Sequence, residues 1–237
     1  PPNPLTTEER KGLIRNLIIA LVVIAAVFGG AQLTGHLTID FFVNTISVLG
    51  IILPLYYFIK MLTSKDVTAE EKPRVWAYIP LFLAAIIFWS LQEQGSSILA
   101  LFASERTQST LFGVTIQASW YQSLNPIFIF ILTPVLVTMW TKLGERQPST
   151  VVKFSLGLLF AGLSYLLLML PGMLYGTSGK VSPLWLLGSF FIVVIAELCL
   201  SPVGLSVTTK LAPRAFESQT IAIWFLADAS SQAINAQ

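Results

Sequence analysis

Residues 184–209 read LWLLGSFFIVVIAELCLSPVGLSVTT. The stretch holds one ionisable side chain, Glu197, near its middle. About 20 mostly apolar residues suffice for a helix to cross the ~30 Å hydrocarbon core of a bilayer. This run is too long, and alternates too little, for a strand. A carboxylate at the centre of such a helix costs about 2.5–3.5 kcal/mol on insertion scales, so it is expected to face a bundle interior, a partner charge or a water-filled cavity. Glu197, Ser201, Gly204 and Thr208 follow at i, i+4, i+7 and i+11, which is one helical face. Pro202 removes an amide donor and crowds the carbonyl of Leu198, so the helix is predicted to bend beside the acid.

Outward from this span the pattern repeats. Further apolar runs lie at about 14–33, 42–62, 75–103, 116–142, 151–170 and 217–237. Hydrophobic residues make up 54% of the chain and charged residues 11%, against roughly 25% charged in soluble domains. That is too little charge to solvate a water-soluble fold, and an all-α integral membrane protein is predicted. Of the 14 Lys and Arg, all but Arg106 and Lys180 fall in the leading segment and in the second-to-third, fourth-to-fifth and sixth-to-seventh links. The positive-inside rule makes those loops cytoplasmic and puts the end of the chain near the outside. Four segments follow: a cytoplasmic linker (1–13), a two-helix membrane hairpin (14–62), a charged cytoplasmic connector (63–74) and a bundle (75–237). The hairpin carries almost no polar groups and reads as lipid-facing, present for packing rather than chemistry. The chain opens Pro1-Pro2-Asn3-Pro4, with neither an initiator methionine nor a signal peptide, and stops as its last helix completes. It is expected to be part of a longer protein.

Two other acids interrupt apolar runs, Glu93 and Asp228. Trp89, Glu93 and Ser96/Ser97 share a face of the third span, widened by Gln92, Gln94 and Gly95. Tyr121 and Asn125 share a face of the fourth, where Pro126 and Pro134 add predicted bends. Trp224, Asp228, Ser231 and Asn235 share a face of the seventh. Four helices with one polar face each suggest a wet cavity, with the remaining three behind them; this suits a transporter half with sites near the midplane. Plainer readings stand beside these. Glu93 and Glu197 could be structural acids, Asp228 a cap or packing residue, and Asn125 a brace for Pro126. Trp120, Trp140 and Trp185 read as interfacial anchors, whereas Trp89 and Trp224 lie deeper and are expected to line the cavity. Gly157-x-x-x-Ala161 reads as close helix packing. The lone Cys199 and lone His36 support neither a disulfide nor a metal cluster. There is no phosphate loop and no Ser-His-Asp set, so no enzyme and no cofactor is predicted. The net charge of +2 carries no nucleic-acid signature, and no nucleic-acid partner is expected.

Three motifs carry a family resemblance. Phe88-Trp89-Ser90-Leu91-Gln92-Glu93-Gln94-Gly95-Ser96-Ser97, Ser123-Leu124-Asn125-Pro126 and Glu197-Leu198-x-x-Ser201-Pro202-x-Gly204-Leu205-Ser206 resemble the proton-dependent oligopeptide transporter family of the major facilitator superfamily. The hairpin at 14–62 resembles the two helices that bacterial members insert between their six-helix halves. The other spans would then be helices seven to eleven of twelve, the carboxy-terminal half without its last helix. The resemblance implies a multi-pass protein of the bacterial cell membrane that moves di- and tripeptides inward with protons by alternating access. It implies that Glu93 exchanges partners with a basic residue of the amino-terminal half, and that Glu197 binds the peptide amino terminus or a base near the inner gate. Asn125 would contact the peptide backbone, with Trp89, Ser201 and Trp224 shaping side-chain pockets, and Glu105 would form an outer-gate salt bridge. The family's Glu-x-x-Glu-Arg motif is missing here, so this segment alone is not expected to transport. Protons are the implied coupling ion; membrane lipid and the missing amino-terminal half are the implied partners. A related transporter of nitrate or another small solute remains an alternative, as does a membrane-embedded lipid-modifying enzyme.

Overall fold

The structure is a computed structural model that describes residues 6–111, 113–176 and 178–236. The first residues of the expected linker, 1–5, and the last residue of the expected seventh span lie outside that description. The described residues form eight α-helices: α1 (Thr7–Leu33), α2 (Ile39–Thr63), α3 (Lys72–Glu93), α4 (Ile98–Leu101), α5 (Leu124–Leu143), α6 (Thr150–Tyr175), α7 (Pro183–Leu211) and α8 (Glu217–Asn235). Among the described residues six helical stretches, including Lys72–Arg106 as one, are long and apolar enough to cross a membrane by length and composition. The seventh expected span is α8, which is helical but not among those six. Its polar residues include Thr220, Ser230 and Ser231, all buried in the protein. A helix facing protein rather than lipid can carry them.

The chain divides into two compact units, one ending at Ile46 and one running from Ser47 to Gln237. In the first unit, α1 is apolar and exposed along nearly its whole length. Phe28 packs against the rings of Phe41 and Phe42, with centroids 5.7 and 5.2 Å away.

The second unit begins inside α2, not after Leu62 where the hairpin was expected to end. Ser47, Gly50, Pro54, Phe58 and Met61 are buried, spaced along one helical stripe. Phe58 stacks on Tyr78 and Phe82 of α3, at 5.8 and 5.3 Å. Gly50 lets the backbone of α8 approach: a Cβ there would lie 3.0 Å from the Ala229 carbonyl oxygen, and the Ser230 hydroxyl donates to the Gly50 carbonyl. One stripe of this half of α2 therefore packs against protein, while Val48, Leu49, Ile51, Ile52, Leu55 and Ile59 on its other faces stay exposed. The core continues through Phe88, Phe154, Leu200, Ile223 and Trp224. Gly157 and Ala161 are buried where α6 meets α7, and a Cβ on Gly157 would lie 3.0 Å from that of Leu200, which is the close packing expected.

The largest difference from expectation lies in the third span. It is not one helix: α3 ends at Glu93, residues 94–97 form turns, and α4 leads into a single π-turn, Phe102–Arg106. The amides of Gly95, Ser96 and Ser97 bond three residues back, to Gln92, Glu93 and Gln94. Ser96 still lines one cleft with Trp89 and Glu93, whereas Ser97 is not among its lining residues. A two-stranded hairpin, Thr110–Leu111 with Val114–Thr115, and a 3₁₀ segment, Ala118–Ser123, connect to α5. Pro126 stands in the first turn of α5, where its missing amide had no helical partner to lose, so no bend is required of it. α7 runs through Pro202 as one helix.

Candidate binding cleft

The break after Glu93 opens a cleft of about 260 Å³ bounded by α3, the 3₁₀ segment, α5, α6 and α7. Trp89, Glu93, Asn125 and Glu197 all line it, as expected of them. The Gln92 side-chain amide donates to Oε2 of Glu197 at 2.9 Å, and Asn125 lines the same cleft. The oxygens of those two side-chain amides are unpaired: Gln92 Oε1 and Asn125 Oδ1 are buried with no hydrogen-bond partner. An unsatisfied buried acceptor costs about 1–3 kcal/mol. The cleft therefore presents a carboxylate, the two donorless amide oxygens are buried in its wall, and no Lys or Arg is among its described lining residues.

Three residues without an assigned role build the walls. The Tyr165 hydroxyl donates to the Leu91 carbonyl at 2.6 Å, and the Gln122 amide donates to the Gly95 carbonyl at 2.9 Å. Both bonds tie the interrupted backbone, whose carbonyls a continuous helix would have satisfied internally. Gln92 is the third. Tyr165 is a mid-span hydroxyl in an otherwise apolar helix, a faint signal; Gln122 left none.

Glu93 ends α3 beside Asp228 of α8, close enough for the two carboxylates to interact electrostatically. Gln232 places its amide nitrogen 3.4 Å from each oxygen of Asp228. Asn235 grips Ser90 by two hydrogen bonds, at 2.6 and 3.0 Å. The polar face of α8 thus meets α3.

Trp224 and Tyr121 lie elsewhere than expected, and Ser201 and Glu105 stand apart from the cleft. Trp224 does not line the cleft: it is buried against Gly204 and the ring of Phe154, because the missing Cβ at 204 leaves a slot that the indole fills. Tyr121 does not share the site of Asn125; it belongs to a small apolar cluster with Leu99, Leu186 and Phe190. Ser201 lies one turn beyond Glu197 and outside the cleft lining. Glu105 sits exposed in the π-turn, and among the described residues no cation pairs with it.

Outside the membrane, Glu71 fastens the connector. Its carboxylate accepts from the Thr68 amide (3.0 Å), the Thr68 hydroxyl (3.2 Å) and the Arg214 amide (3.1 Å). The bond from the Thr68 backbone, then that from Arg214, holds its pKa below the ordinary 4.5.

Known proteins share this arrangement. The sequence model of the POT family matches residues 5–237. The transporter YclF of Bacillus subtilis (strain 168) is 53% identical over all of this chain and 47% of its own length. A di-/tripeptide transporter of Lactococcus lactis subsp. cremoris is 50% identical, over 100% of this chain and 49% of its own. The chain spans about half the length of the curated relatives it matches. A crystal structure of a peptide transporter POT in complex with sulfate superposes with a TM-score of 0.87 at 53% identity, covering 100% of this chain and 48% of that one. A POT family transporter in complex with a thioalcohol conjugated peptide superposes at 0.84 and 46% identity, covering 99% and 49%. The family model matches nearly the whole chain and the backbone superposes over 99–100% of it: this multi-pass membrane chain belongs to the POT family.

Proposed function

We propose that the protein containing this chain is a symporter that carries di- and tripeptides inward with protons. The observation that carries this reading is the Glu197 cluster. A peptide's ammonium group has one positive charge and three N–H donors; Glu197 offers one negative charge and acceptor oxygens, in a cleft with no Lys or Arg among its described lining residues. Trp89 walls the cleft for a substrate side chain. The peptide carboxylate needs a base, which this half does not place in the cleft and the other half would supply. Glu93, at the end of α3, is the proton-coupling acid; Glu105 at the outer end serves as a gate; Ser201 extends the Glu197 face toward the cytoplasm. No cofactor is involved. The named peptide transporters among the relatives support this substrate class, and an anion-only substrate such as nitrate finds no counter-charge among the cleft residues.

The test uses the full-length protein in proteoliposomes. Unlabelled dipeptides should compete with labelled dipeptide uptake, and nitrate should not. Glu197→Gln should weaken dipeptide binding about ten- to a hundredfold, the worth of a hydrogen-bonded charge. An N-acetylated dipeptide, lacking the ammonium, should bind wild type and variant alike. Equal dipeptide affinity in the variant, or competition by nitrate, would refute the reading.

A further inference from the structure

We propose that the cytoplasmic end of the bundle binds one anionic phospholipid, with its phosphate between Lys153 and Lys210 and an acyl chain in the groove beside them. A cavity of about 450 Å³ lies between the start of α6 and the last turns of α7, lined by Lys153, Lys210, Ser149, Thr150 and Ser206. The set is two cations and three hydroxyl groups. Neither lysine forms an ion pair among the described residues, and Glu145, on the preceding turn, lines no part of the cavity. The site also receives the positive end of the α6 dipole, since α6 begins there with Ser149 as its cap.

A second cavity adjoins the first and has the opposite chemistry. It is about 540 Å³, shares Thr150, Val207 and Lys210 with the first, and continues between α3 and α6 past Ala77, Ala84 and Leu158. Lys210 thus stands where a basic pocket becomes an apolar groove. From Thr150 to Leu158 the groove descends about 12 Å along α6 at 1.5 Å per residue, from the cytoplasmic end of the span into hydrocarbon. Lys153 is fixed at that boundary: its ammonium donates to Gln147 Oε1 at 2.8 Å and lies 4.6 Å from the centre of the Trp140 ring. Tryptophan at a span end marks headgroup level. A free phosphate ion would use only the basic pocket. A zwitterionic lipid would bring a third cation, its own ammonium, to a site that already holds two lysines. An anionic phospholipid fits both cavities.

The full-length protein in detergent is titrated with dioleoyl phosphatidylglycerol or dioleoyl phosphatidylcholine, and bound lipid is counted by native mass spectrometry. Phosphatidylglycerol should bind at least tenfold more tightly. The pair Lys153→Gln/Lys210→Gln should lose about thirtyfold, at roughly fivefold for each cation near a charged headgroup. If that pair does not fold, Lys210→Gln alone should lose about fivefold. Ala84→Phe, which fills the groove without touching charge, should weaken phosphatidylglycerol binding severalfold. Lys142→Gln/Arg146→Gln, on the same link but outside both cavities, should change little. Equal binding of the two lipids, an equal loss in the Lys142/Arg146 control, or displacement of phosphatidylglycerol by millimolar inorganic phosphate would each overturn the proposal.

Discussion

Gly204 and Trp224 make one joint. A Cβ at 204 would strike the indole ring, which is held on its far side by Phe154 at a ring-centre distance of 6.4 Å. Gly204→Ala should therefore cost about 1–3 kcal/mol, the usual penalty of overpacking, and lower the melting temperature of the full protein. Trp224→Leu in the same background should recover part of the loss, since contacting sites are not additive. A Gly204→Ala protein that melts like wild type would show that the ring has room to move. Read along the sequence, Trp224 shares a face with Asp228 and points to a cavity. Whether an indole faces water or a glycine on another helix depends on a residue twenty positions away.

The interrupted third span and the connector between α2 and α3 are held by different means. The break after Glu93 is tied by side chains from α6 and the 3₁₀ segment. Tyr165→Phe removes one tie and leaves the Leu91 carbonyl with the Gln94 amide alone. The cost should be about 0.5–1.5 kcal/mol. Hydrogen exchange should quicken at 94–97 and stay unchanged at 75–88; a uniform change along α3 would argue that the tie supports the helix rather than the break. The connector is held by Glu71, whose carboxylate is favoured by its three hydrogen bonds. Folding lowers its pKa, so the tether contributes in full above the ordinary value of 4.5 and is lost as pH falls through the lower native value. Exchange at the Thr68 and Arg214 amides should be slower in wild type than in Glu71→Gln from neutral pH down to 4.5. The difference should fade only as pH falls further, through the lower native value. A difference that shrank on going up in pH would contradict the assignment.

Glu93 joins the break to the proposed transport cycle. It closes α3, lines the cleft and lies beside Asp228. In proteoliposomes of the full protein, Glu93→Gln should abolish uptake driven by a proton gradient and leave peptide exchange intact. Driven uptake at the wild-type rate would remove Glu93 from the coupling step. Composition and the spacing of Lys and Arg were enough to establish a helical membrane chain, and rare acids in long apolar runs singled out Glu93 and Glu197, because hydrocarbon penalises charge so steeply that each exception is conspicuous. Lipid and protein interior are nearly alike as apolar surroundings, however. Sequence therefore could not separate the buried stripe of α2 from the bare surface of α1, or a core tryptophan from one lining a cleft. Nor could it place the helix break, the bonds from Tyr165 and Gln122, or the two orphaned amide oxygens beside Glu197; these depend on which backbone groups distant helices bring within reach, and only the packed bundle decides that.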